Sequence, residues 1–485
     1  MDDRIDPEGK RLPIKLDTAS NGEYAPLPLP ESLLAARRLA HRAASEAARR
    51  LGLSRRAFLK SACGAAATLL AMNRAFAAAG RIGGHFDLPS EAAYDLALAE
   101  DRLGGKEFIF DVQGHHVNPV GPWRRITNRW TYALRSFPQA DCGEGAIECL
   151  SAQHFIREVF LDSDTALAVL SMVPAGPGDE PLTLEDAAAT RALVERMEGH
   201  HRLLLHALVR PNLPGELDAM AEHRNRYRIA AWKTYTQWGP DGKGYWLDDP
   251  DTGLPFIERA RALGVKVICV HKGLPLFGLD YTHSTCRDVG AVAKRYPDVA
   301  FLIYHSGYDP KRQEGPYDPK DAEAGVDSLI KSLLDHEIPP NANVYAELGS
   351  TWKLLMRDPD QAAHVLGKLF KYVGEDNVLW GTDSIWYGSP QDQIQAFRTF
   401  RIAEPLRERY GYPELTPQLR AKVFGLNAAK PYGIDVEALR RQLAGDPWTR
   451  ARQAYRENPE PSFLSYGPRT RREFLELLRL RGGPL

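Results

Sequence analysis

Cysteine is scarce in this chain: five residues in 485, at positions 63, 142, 149, 269 and 286. An odd count without a CxxC pair excludes a disulfide framework and a zinc ribbon. Cys142 and Cys149 share one loop-like stretch, DCGEGAIEC, and are the one pair placed to bridge in an oxidising compartment, while Cys269 lies inside the apolar run VKVICV. Charge of one sign is lacking too. Lys and Arg number 62 against 63 Asp and Glu, a net charge of −1, which argues against a nucleic-acid partner, since that would leave a basic stripe. No apolar run reaches the ~18–20 residues of an integral membrane span. The first strand-like run is followed by DVQGHH rather than by a glycine-rich phosphate turn, which tells against an open, doubly wound dinucleotide fold.

What is present is a regular alternation. Eight short runs rich in β-branched and aromatic residues fall at 107–112, 166–172, 202–209, 228–235, 265–271, 299–305, 343–349 and 377–383. Helix-like segments such as LEDAAATRALVERMEGH and AEAGVDSLIKSLLDH separate them. Near-continuous apolar runs are expected of strands buried on both faces of a parallel sheet. Eight of them with helical crossovers give the count of a (β/α)8 TIM barrel, a unit of about 250 residues or more. The expected barrel spans 106–434, with an inserted loop region after strand one and a helical, Arg-rich C-terminal tail over 435–485. That tail is expected to pack on the barrel or to make homo-oligomer contacts.

Upstream, residues 1–53 form a polar and basic leader, expected to be disordered or partly helical. Ser54-Arg55-Arg56-Ala57-Phe58-Leu59-Lys60 resembles the twin-arginine export signal, and an apolar stretch and the A-x-A pattern Ala75-Phe76-Ala77 follow it. The resemblance implies the twin-arginine translocase as a partner and a periplasmic or secreted location, with 54–77 as the signal.

Chemistry in a barrel sits at the carboxyl ends of the strands. Strand one runs into Gln113, His115 and His116; strand four ends in Lys233 and Tyr235; strands five and six end at His271 and His305; strand seven ends near Glu347 and strand eight at Asp383. A single histidine after an apolar run is ordinarily a rim or core residue. Several imidazoles and a carboxylate at the same end of different strands converge on one axis, and they are the ligand types of a divalent first-row metal.

These motifs, FDVQGHHVNP, VICVHKG, FLIYHSG, VLWGTDS and the later VFGLNAAKPYGI, resemble the amidohydrolase superfamily, in the amidohydrolase-related branch that contains aminocarboxymuconate-semialdehyde decarboxylase. The resemblance covers 106–434 and implies one divalent metal ion, zinc or manganese. It assigns His115 and His271 as ligands, Asp383 as a ligand that also moves a proton, and His305 as the histidine facing the substrate. Gln113 stands where the family carries the first histidine of His-x-His, and an amide oxygen is a weak ligand for a borderline metal. Lys233 is placed to pair with a substrate carboxylate. Trp123 and Arg124, with Arg125, Arg129 and Trp130 after them, suit an aromatic or carboxylated small molecule. Glu347 is either a site carboxylate or a partner for Lys233.

Three functions follow from this set. The first is a metal-dependent hydrolase of a small amide, lactone or ester, with Asp383 as general base and His305 bonding the developing oxyanion. The second is a non-oxidative decarboxylase of a carboxylated small molecule. The third is a barrel that has lost catalysis and binds a ligand or partner.

Overall fold

The computed structural model describes residues 6–17, 19–124, 148–197, 202–275 and 280–480. Its centre is a parallel sheet of eight strands in sequence order: β2 (Phe110–Gly114), β3 (Leu167–Leu170), β4 (Leu203–Leu208), β5 (Ala231–Tyr235), β6 (Val267–His271), β7 (Ala300–Tyr304), β8 (Val344–Glu347) and β9 (Val378–Leu379). Each lies within two residues of its expected run except the last, which is cut to a pair. Past Leu379 the chain still bonds to β2: Val112 N donates to Trp380 O at 3.1 Å, and Asp383 N to Gln113 O at 3.0 Å. The Gly114–Ser384 bridge completes the contact, so the sheet curls back on its first strand. The expected (β/α)8 barrel is the fold.

The capped helices follow ordinary rules. The helix Leu184–Arg196, for example, opens on a Thr183–Asp186 capping box, which satisfies the backbone donors left over at a helix start. A short antiparallel ribbon, β1 (Gly84–Phe86) with β10 (Phe400–Ile402), lies outside the barrel.

The residues before the barrel are built into the molecule. Helix α1 (Glu31–Leu51) buries Leu33, Ala36, Ala40, Ala44 and Ala47, a stripe at helical spacing. Those small side chains let α3 (Ala62–Ala78) pack closely against it. Helix α2 (Arg55–Lys60) begins at Ser54, whose side chain accepts from Ala57 N. The twin-arginine-like stretch is therefore folded: Phe58, Leu59, Cys63, Leu69 and Met72 are fully buried, in the same apolar cluster as Phe86, Leu103 and Phe400. Arg56 is buried and donates to Pro461 O at 2.6 Å. The leader is likewise ordered over much of its length, with Ile14, Leu16 and Ala19 buried. Among the described residues, no helix is long and apolar enough to cross a membrane.

The tail packs on the barrel. Arg202 holds Asp446 through two 2.7 Å bonds, and Trp448 is buried between the Val194 and Phe160 surfaces. Its extended part reaches the segment after β9, where Tyr466 N donates to Trp386 O at 2.9 Å. Cys149 is disulfide-bonded, and Cys63, Cys269 and Cys286 are free. Cys142, Arg125, Arg129 and Trp130 lie outside the described residues.

Candidate metal centre

The barrel brings Gln113, His115, Lys233, His271, His305, Glu347 and Asp383 to the carboxyl ends of its strands, all of them buried. The pairing register puts Tyr235 beside His271 and His271 beside Tyr304. The His271 and His305 rings meet edge to face with centroids 4.4 Å apart, and Tyr235 stacks on His271 at 4.9 Å.

Hydrogen bonds define which nitrogen of each ring faces inward. A carbonyl can only accept, so a ring nitrogen bonded to one carries the proton. His115 Nδ1 donates to Ser171 O at 2.7 Å, His305 Nδ1 to Gly349 O at 2.6 Å, and His271 Nε2 to Leu274 O at 3.2 Å. In the neutral rings of His271 and His305 the remaining nitrogen then presents a lone pair. His115 Nε2 lies 3.2 Å from Asp383 Oδ1, and His271 Nδ1 has no hydrogen-bond partner. Two lone-pair atoms facing each other across 3.2 Å call for a proton or a cation between them.

Asp383 is the hub. Its Oδ1 accepts from Gln113 Nε2 at 3.1 Å, and its Oδ2 accepts from Asn21 Nδ2 at 2.9 Å and from Ser350 Oγ. Burial alone would raise its pKa, but a proton on His115 Nε2, with His305 and the Ser350 hydroxyl, outweighs that and holds the carboxyl below its ordinary value. Burial lowers His305 to about 4 and His271 well below the usual imidazole range, so both rings are neutral at neutral pH. Both Asp383 and His305 have left-handed backbones, at φ 60° and 66°. Such conformations cost energy in a non-glycine residue and cluster at functional sites.

Glu347 is held by backbone, its Oε2 accepting from His305 N at 3.0 Å and its Oε1 from Gly349 N at 2.5 Å. Burial raises its carboxyl to about 8. It fixes the ends of β7 and β8 rather than hydrogen-bonding Lys233. Gly381 is required beside it, since a Cβ there would fall 1.6 Å from Glu347 Oε1. Lys233 Nζ has no hydrogen-bond partner and rests 3.5 Å above the Tyr304 ring. Burial lowers its pKa to about 8.

Gln113 turns its amide nitrogen toward Asp383 and, at 3.4 Å, toward His305 Nε2, while its amide oxygen is buried without a hydrogen-bond partner. His305 cannot donate to an oxyanion, because its proton sits on Nδ1 and its free Nε2 offers a lone pair. Trp123 bonds Asn118 O at 2.7 Å and packs in the apolar cluster with Trp386. Arg124 bonds the Pro119 carbonyl and lies 3.7 Å from Glu148.

The sequence reading missed Asn21 and Glu23. Both come from the leader, and no local signal marks them. Glu23 Oε1 lies 3.7 Å from His271 Nδ1, and Glu23, His271 and His305 each offer a ligand atom within 4.8 Å of the others. Ser350 and Tyr387, which bond each other at 2.9 Å beside Asp383, were missed as well.

A closed parallel barrel with imidazoles and a carboxylate gathered at its carboxyl end defines a class of metal-type barrel enzymes. The amidohydrolase family model matches residues 158–434, more than half of the chain, and the chain belongs to that family. Strand β2, with Gln113 and His115, precedes the matched residues. No curated protein matches the chain. Among solved structures, an uncharacterised TIM-barrel protein from Bordetella bronchiseptica is 15% identical with a TM-score of 0.43, over 69% of this chain and 99% of that one. The 5-carboxyvanillate decarboxylase of Sphingomonas paucimobilis is 13% identical at TM-score 0.40, over 68% and 100%. The dihydroorotase of Saccharomyces cerevisiae is 12% identical at 0.39, over 69% and 86%.

Proposed function

We propose that the chain is a metal-dependent hydrolase of a small-molecule amide, lactone or ester. The observation that carries this reading is the facing of His115 Nε2 and Asp383 Oδ1 across 3.2 Å. Two ligands each about 2.1 Å from one ion stand roughly that far apart. The unpartnered Nδ1 of His271 lies within 4.8 Å of His305 Nε2, and these two imidazoles are donors that fit a divalent ion. His271 and His305 would hold it, with His115 and Asp383 at the same rim of the barrel. When bound, such an ion polarises a substrate oxygen and makes water a better acid.

The chain's own residues supply the rest. Asp383, buried among the strand ends, is suited to accept a proton from the attacking water and return it to the leaving group. Gln113 Nε2 donates to Asp383 Oδ1 and orients it. Lys233, with its ammonium unbonded, offers charge to a substrate carboxylate or to negative charge developing on oxygen.

The test is a panel of small amides, lactones, esters and carboxylated aromatics, followed for hydrolysis and for released CO2 with zinc or manganese present. Hydrolysis that falls by 100-fold or more in Asp383→Asn, on the order of losing a general base, supports the reading. CO2 release without hydrolysis would replace it with decarboxylation, and turnover unaffected by Asp383→Asn would remove it.

A further inference from the structure

The leader reaches the centre of the barrel mouth, and it does so on fixed anchors. Lys15 is buried, donates to Ser389 O at 2.6 Å and pairs with Asp392 at 3.3 Å. Lys353 Nζ meets the same Asp392 at 3.2 Å and the Lys15 carbonyl at 2.9 Å. Ser20 N donates to Pro468 O at 2.9 Å, which joins the leader to the tail. Tyr24 OH bonds Tyr387 OH at 3.1 Å. Between these anchors lie Asn21 and Glu23.

Asn21 sorts the two oxygens of Glu23. Its Nδ2 donates to Glu23 Oε2 at 2.6 Å as well as to Asp383 Oδ2, and its Oδ1 accepts from Glu23 N at 3.0 Å. Oε2 is thereby tied down, while Oε1 is directed to His271 Nδ1, at 3.7 Å. Two ligands about 2.1 Å from one ion span that separation at an open angle. The nitrogen at the other end, His271 Nδ1, is buried with no hydrogen-bond partner, and His305 Nε2 adds a third lone pair within the same group.

We propose that Glu23, through Oε1, is a metal ligand together with His271 and His305, the three ligand atoms lying within 4.8 Å of one another. The carboxylate then brings negative charge to an ion otherwise held by two imidazoles. The inference rests on the metal-centre reading above. It makes the leader part of the site, so that cleavage after Ala77 would dismantle the site.

The experiment is Co2+ and Zn2+ binding to the full chain, by chelator competition and by the visible absorption of bound Co2+. Wild type is compared with Glu23→Gln, Glu23→Asp and His271→Ala. Glu23→Gln keeps the size and hydrogen bonding of the side chain, and melting curves confirm that each variant folds. The expected result is one ion per wild-type chain, affinity at least about tenfold weaker in Glu23→Gln, an altered Co2+ spectrum, and partial recovery in Glu23→Asp. If Glu23→Gln binds as tightly as wild type with an unchanged spectrum while His271→Ala loses the ion, Glu23 is no ligand and the metal-centre reading survives. If wild type binds no ion, both fall.

Discussion

Lys233 holds an ammonium in the barrel interior with no hydrogen-bond partner, against the Tyr304 and Tyr235 rings. Burial disfavours its charge, and a buried charge without a paired partner carries a desolvation cost that an apolar side chain of similar volume does not. A group kept against that cost is best explained by what it does. Lys233→Met is therefore expected to raise stability toward denaturant while lowering turnover at least tenfold. Lower stability with unchanged turnover would make Lys233 a packing residue. Gln113 teaches a related lesson. Its place in the motif suggested a ligand, and its amide nitrogen points at Asp383 and His305 while its oxygen is left without a hydrogen-bond partner. Which end of an amide faces a site depends on neighbours more than 190 residues away in the chain, and no local spacing encodes that.

At the scale of elements, the eight barrel strands were legible because a parallel strand buried on both faces must be apolar almost throughout. Their ends were legible because the barrel brings them all to one rim. The stretch SRRAFLKSACGAAATLLAMNRAFA was harder. Its order of motif, apolar stretch and A-x-A suits an export signal, and its small and apolar residues equally suit a helix packed against the Ala-rich stripe of α1. The structure builds it into the core, with Leu69 fully buried. Leu69→Ala should then cost about 2–5 kcal/mol of the whole chain's stability, measured by chemical denaturation. A negligible change would mean that α3 is dispensable to the fold, as a removable signal would be. Asn21 and Glu23 were not legible at all. Their role depends on Lys15 meeting Asp392 and on Ser20 meeting Pro468, contacts between the two ends of the chain that leave no trace in local pattern.

For the molecule as a whole, the two termini do what an inserted loop often does in a barrel. The leader reaches the strand ends through Asn21 and Glu23, and it is bonded to the tail where Ser20 N donates to Pro468 O. The site is thus assembled from leader residues and six strand ends. Its lone pairs and carboxylates make chemical sense together only around a positive charge. The most direct measurement is the metal content of the purified full chain after exposure to zinc or manganese, wild type beside His271→Ala. The account predicts close to one ion per wild-type chain and little in the variant. A correctly folded wild-type chain that stays metal-free would contradict it.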